Sequence, residues 1–214
     1  MGLDTYLPFL IATFVLLVVP GPTVMLVVGY ALSGGRRTVA YTAPGVALGD
    51  ATAMIVSLAG LGALLAASAT AFTVLKWVGA AYLIWLGIKL WRARPTADLL
   101  ATSPAGPTTR RCAPTGRAML RDAWIVTALN PKGIVFFMAF LPQFIAPDAA
   151  YIPQVMVLGG TFLVLGTVNA ALFGLLAGSA SRLVQNRHVQ LWINRTGGTF
   201  LIGAGLMTAT LKRT

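Results

Sequence analysis

Six apolar stretches of about 20 residues, each almost free of charge, recur along this 214-residue chain and leave few architectures open. A run of that length matches a hydrocarbon core about 30 Å thick. Inside hydrocarbon the backbone N–H and C=O groups must be satisfied within the segment, so such stretches are expected to be helices. They lie at roughly 4–30, 40–67, 71–91, 122–145, 152–179 and 192–211. The expected fold is an all-α membrane protein with six transmembrane helices. Charged residues make up only 10% of the chain, against about 25% in soluble proteins. Only Asp4 precedes the first stretch, with no basic region and no small-residue cleavage site, so that helix is expected to be retained.

Two of the stretches are interrupted. Pro20-Gly21-Pro22 sits in the middle of the first, and Asn130-Pro131-Lys132-Gly133 in the middle of the fourth. Proline removes a backbone donor and clashes with the preceding turn, so each motif should open its helix and leave backbone groups unpaired. At membrane depth such groups cost several kcal/mol apiece, and irregular backbone survives there only where it lines a cavity or is enclosed by protein. Helices 1 and 4 are therefore expected to be broken around a binding site. The plainer alternative is a kink packed against a neighbour.

Net charge is +11, and the basic residues are sorted. Twelve of the 16 fall at the first, third and fifth connections: Arg36, Arg37, Lys89, Arg92, Arg94, Arg110, Arg111, Arg117, Arg121, Arg182, Arg187 and Arg195. Lys76, Lys212 and Arg213 lie on the other side, and Lys132 lies within a span. The positive-inside rule then places those three connections in the cytoplasm and the amino terminus outside. Span ends account for the charge, so no nucleic-acid partner is expected; membrane lipid is. Residues 92–121, rich in Pro, Ala, Thr and Arg, read as a basic cytoplasmic linker between a first three-helix unit, 1–91, and a second, 122–214.

The two units resemble each other. Gly79-Ala80-Ala81-Tyr82-Leu83-Ile84-Trp85-Leu86-Gly87 lines up with Gly197-Gly198-Thr199-Phe200-Leu201-Ile202-Gly203-Ala204-Gly205, and the two proline breaks fall at similar places. Matched interruptions point to internal repeats. Three spans per unit is an odd number, so the second repeat would insert inverted relative to the first. Gly45-xxx-Gly49 and Gly174-xxx-Gly178 would let helices approach closely, either within the bundle or across a homodimer contact.

Few groups could carry chemistry. There is no Ser/His/Asp grouping, no metal-ligand cluster and no phosphate loop; Cys112 is the single cysteine and His188 sits in a polar linker. Neither an enzyme nor a cofactor is expected. At membrane depth stand Asp50, roughly 20 Å along its helix from Arg37, and Lys132, roughly 16 Å from Arg121. An ionised carboxylate there must be paired, hydrated or protonated, and marks an ion or substrate path by default. The alternative is a structural group bonded to backbone or hydroxyls. A buried ammonium wants a carboxylate, either that of Asp50 in the empty protein or that of a bound substrate; otherwise it snorkels to the interface. Asn130 and, more weakly, Asn169 could join them. Half-helix ends suit a zwitterion, N–H groups taking an anion and freed carbonyls an ammonium.

Pro20-Gly21-Pro22-Thr23-Val24-Met25-Leu26, Ser33-Gly34-Gly35-Arg36-Arg37, the segment Gly45–Asp50 and Ala81-Tyr82-Leu83-Ile84-Trp85-Leu86-Gly87 together resemble the LysE/RhtB amino-acid exporters. Asn130-Pro131-Lys132, Phe136-Phe137 and Phe140-Leu141-Pro142-Gln143-Phe144 extend the likeness over both units, leaving out mainly 92–121. The resemblance implies a bacterial inner-membrane carrier exporting a small amino acid, driven by the proton gradient. It also implies a substrate site at Pro20, Gly21, Pro22, Asn130, Pro131 and Lys132. Asp50 joins these on the physical argument, as the proton-coupling group. Family members export homoserine, threonine, lysine, arginine and cysteine-pathway metabolites, so the likeness selects no substrate. Readings of another kind are a passive channel and an exporter of inorganic ions or metals; a divalent cation would want more oxygen, His or Cys ligands than one carboxylate.

Overall fold

The computed structural model describes residues 2–67, 69–92, 114–146, 148–177 and 186–210. Ser68, residues 93–113 of the linker with Cys112, Pro147, Gly178, residues 181–185 of the fifth connection, and Lys212 with Arg213 lie outside the described residues. Among the described residues the chain is helical, without strands. The helices are α1 (Leu3–Val18), α2 (Pro22–Gly34), α3 (Val39–Ala67), α4 (Ala69–Arg92), α5 (Gly116–Ala128), α6 (Pro131–Val135), α7 (Tyr151–Leu175) and α8 (Arg187–Thr210). A 3-10 turn, Arg36–Thr38, leads into α3. A π turn at Phe136–Phe140 and a 3-10 turn at Leu141–Phe144 continue α6.

Both expected breaks are present. Val19 stands before Pro20 and leaves the helical region at φ −68°, ψ 113°, as a residue preceding proline tends to. Gly21 is extended, Pro22 opens α2 at its first position, and the axis turns by 51°. In the second break Asn130 takes the same extended conformation before Pro131, and the axis bends by 44°. Asn130 also caps α6, its Oδ1 accepting from the Lys132 N–H at 3.1 Å.

Two apolar stretches, Arg36–Gly60 and Tyr151–Leu175, are long enough to cross a membrane as single helices. Each bent pair, α1 with α2 and α5 with α6 through Phe144, passes the same test when taken as one span. This accounts for up to four of the six expected spans. Two helices start earlier than expected. Thr115 caps α5 through its hydroxyl, so Gly116–Arg121, assigned above to the linker, is helix. Asn186 caps α8 through Oδ1, and His188 is therefore an exposed residue of a first helical turn rather than of a loop.

Polar side chains are buried among the apolar ones while large apolar side chains face outward. Thr13, Thr23, Thr42, Asp50, Ser57, Thr127, Asn130 and Gln154 are buried, while Phe14, Ile55, Val56, Val164 and Leu172 face outward. Outward-facing apolar side chains suit an apolar solvent. One apolar core gathers Phe9, Phe136, Phe137, Phe140, Phe144 and Phe162 in edge-on and tilted ring contacts, joining α1, the π turn and α7. The π turn arises just before Pro142, whose ring and missing N–H end the α-helical register; the Leu141 N–H bonds five residues back, to Phe136.

Small residues set the helix contacts. A β-carbon on Gly49 would stand 2.5 Å from Thr127 Cβ and 2.8 Å from the Trp124 carbonyl, and one on Gly45 2.5 Å from the Leu120 carbonyl. This glycine pair therefore seats α3 on α5 within the chain. The helices α4 and α8 pack antiparallel, Gly87 lying against Gly198 and Ile202, and Gly205 against Ala80 and Ile84. One sequence offset carries Ile84 to Ile202 and Gly87 to Gly205, so it exchanges these contacts with each other.

Candidate functional site

The two breaks meet. Where α1 ends, the carbonyls of its last turn lack helical partners. The Lys132 ammonium, from the first turn of α6, donates to the carbonyls of Leu16 and Val19 at 2.9 Å each. Asn169 of α7 donates from Nδ2 to the Leu17 carbonyl at 3.1 Å. The cation thus sits at the negative end of the α1 dipole. It does not snorkel outward. Nor does it pair with Asp50: among the described residues the single ion pair is Arg121–Asp122, and Asp50 has no hydrogen-bond partner. Asp50 and Lys132 therefore share a cavity and act on each other electrostatically, without forming a close ion pair. Two backbone carbonyls at the end of α1 take the lysine's N–H bonds instead: that of Leu16, which Pro20 cannot donate to, and that of Val19, the non-helical residue at the break.

A second network joins the start of α2 to the end of α5. Thr23 Oγ1 accepts from Asn130 Nδ2 at 3.2 Å and contacts Thr127 Oγ1 at 3.2 Å. Close to it, Gly21 leaves open backbone: a β-carbon there would lie 3.6 Å from Lys132 Nζ.

Between these groups lies a cavity of ≈ 40 Å³, lined by Gly21, Thr23, Asp50, Asn130, Lys132, Gly166 and Asn169, with Leu16, Leu17, Val24, Val46, Gly133 and Phe162. Of the expected site residues, Gly21, Asp50, Asn130 and Lys132 line it together. Pro20, Pro22 and Pro131 do not; they shape it by ending and starting the helices around it. Thr23 and Gly166 were not expected. Thr23 directly follows the first break, which was a usable signal, whereas Gly166 gave none. The volume holds a few waters and is far below the several hundred Å³ of a small-molecule pocket, so this is a contracted arrangement. Chemically it offers a carboxylate, an ammonium, carbonyl acceptors and amide groups within one enclosed space. That is a set suited to a small polar or zwitterionic solute.

Broken apolar helices around a buried polar cavity define a multi-pass membrane protein of transporter type. The model of the LysE type translocators matches residues 14–211, and the chain belongs to that family. A protein of Vibrio cholerae serotype O1, named an uncharacterized membrane protein, is 34% identical over 212 residues, covering 99% of this chain and 100% of its own. The homoserine/homoserine lactone efflux protein of Salmonella typhi is 30% identical over 212 residues, 99% of each chain. The leucine efflux protein of Klebsiella pneumoniae is 31% identical over 148 residues, 69% of this chain and 66% of its own. No solved structure matches.

Proposed function

We propose that this translocator exports a small amino acid or derivative across the bacterial inner membrane by proton antiport. The observation that carries the reading is the cavity itself, with Asp50 and Lys132 on its wall and a broken helix on either side. Asp50 exchanges the proton. Lys132, Asn130 and the half-helix ends at Gly21 and Pro22 hold the substrate. The efflux relatives named for homoserine and leucine support an amino-acid cargo.

In this reading six spans form two inverted repeats that rock about the membrane midplane. The exchange of Gly87 and Ile202 contacts with Gly205 and Ile84 supports such a two-fold relation. The ring of Tyr41 against Gly116 sets the start of α3 beside the start of α5, which groups Arg36 and Arg37 with Arg117 and Arg121 at one end of the molecule. By the positive-inside rule that end is cytoplasmic, and the amino terminus is outside.

Counterflow in proteoliposomes tests the function. A carrier loaded with unlabelled L-homoserine or L-leucine accelerates uptake of the labelled compound from the other side. Uptake indifferent to internal substrate would mark a channel and overturn the proposal.

A further inference from the structure

The lysine of the second break occupies acceptors that the first break created. Leu16 and Val19 present their carbonyls to Lys132 Nζ at 2.9 Å each, and the neighbouring carbonyl of Leu17 is held by Asn169. An ammonium is favoured at this end of α1 by the helix dipole. A lysine ammonium and the α-ammonium of an amino acid are the same donor, a cation with three N–H bonds to place. The space beside it, ≈ 40 Å³, has no room for a second such group with a side chain attached. On the same wall the Asp50 carboxylate stands without a hydrogen-bond or ion-pair partner among the described residues. The protein's own amine fills the carbonyl site, held by two hydrogen bonds and no close ion pair, which is what a displaceable plug requires.

We propose that the Leu16 and Val19 carbonyls form the ammonium subsite, that Lys132 fills it in this contracted state, and that the substrate's ammonium displaces the lysine. This rests on the amino-acid reading above. It gives Lys132 two successive tasks, as a competitor before binding and as a ligand of the substrate carboxylate afterwards. The cavity then opens only for a solute that brings its own cation, which keeps it shut to simple anions and neutral polar molecules.

The test uses purified full-length protein in lipid nanodiscs and three probes of one shape: L-leucine, 3-methylbutylamine, which lacks the carboxylate, and 4-methylpentanoate, which lacks the amine. Lys132→Met should bind 3-methylbutylamine at least ten-fold more tightly than the wild type, because its competitor is gone. Lys132→Gln, one atom shorter and uncharged but still a donor, serves where the methionine variant does not fold, with the same expected direction. Unchanged or weaker amine binding in the variants, with L-leucine binding lost, would overturn the plug and leave amino-acid export standing. Tighter amine binding in the variants, with no binding of L-leucine or L-homoserine by the wild type, would support the subsite and contradict the amino-acid cargo.

Discussion

Asp50 faces Gly166 so closely that a β-carbon on the glycine would stand 2.8 Å from the carboxylate Oδ2. The acid on α3 thus depends on an absent side chain on α7. Gly166→Ala should push the carboxylate out of its place at a cost of about 1–3 kcal/mol, as overpacking does. We expect export to fall by about ten-fold while the protein still inserts. Transport assays beside size-exclusion profiles check this; wild-type export by the alanine variant would show that the carboxylate has room to spare.

Asn169→Leu removes the donor to the Leu17 carbonyl and leaves that carbonyl unpaired beside the cavity. The expected loss is about 1–3 kcal/mol, read as a drop in Tm of several degrees. Since the side chain is only partly buried, the lower half of that range is expected.

Helix contact predicts a sharp contrast between glycines. Gly49→Leu drives a side chain into Thr127 Cβ and the Trp124 carbonyl, and it also strains the Thr127–Thr23 contact at the first break. It should abolish accumulation of folded protein. Gly160→Ala, on a helix surface with nothing within 4 Å of the new carbon, should leave the fold intact and raise stability by up to about 1 kcal/mol. Expression level and thermal melts in detergent compare the two directly.

The parts of this molecule legible in its sequence are those fixed by local chemistry. Prolines that cannot donate, and a residue before each that leaves the helical region, put both breaks where the sequence places them. Gly45 and Gly49, four residues apart on one helix face, mark a close helix approach because they carry no side chain to hold a neighbour off. The early starts of α5 and α8 were obscured because Arg117, Arg121 and Arg187 end the apolar pattern before the helix ends; the caps Thr115 and Asn186 were the better signal. Two site features depend on tertiary placement and leave no local trace. The partner of Lys132 is a pair of backbone carbonyls, which have no letter of their own in a sequence. Gly166 matters through the register of α7 against α3, and a glycine in an apolar helix looks like any other.

Charge at depth supplies the most direct trial. Asp50→Asn keeps the size and polarity of the side chain while removing its ability to release a proton. In proteoliposomes carrying an imposed pH gradient, with labelled L-homoserine or L-leucine as cargo, the wild type should concentrate substrate against its gradient. The asparagine variant should lose that gradient-driven accumulation by ten-fold or more while counterflow between equal pools persists. Full accumulation by Asp50→Asn, at wild-type levels of inserted protein, would contradict proton exchange at this carboxylate.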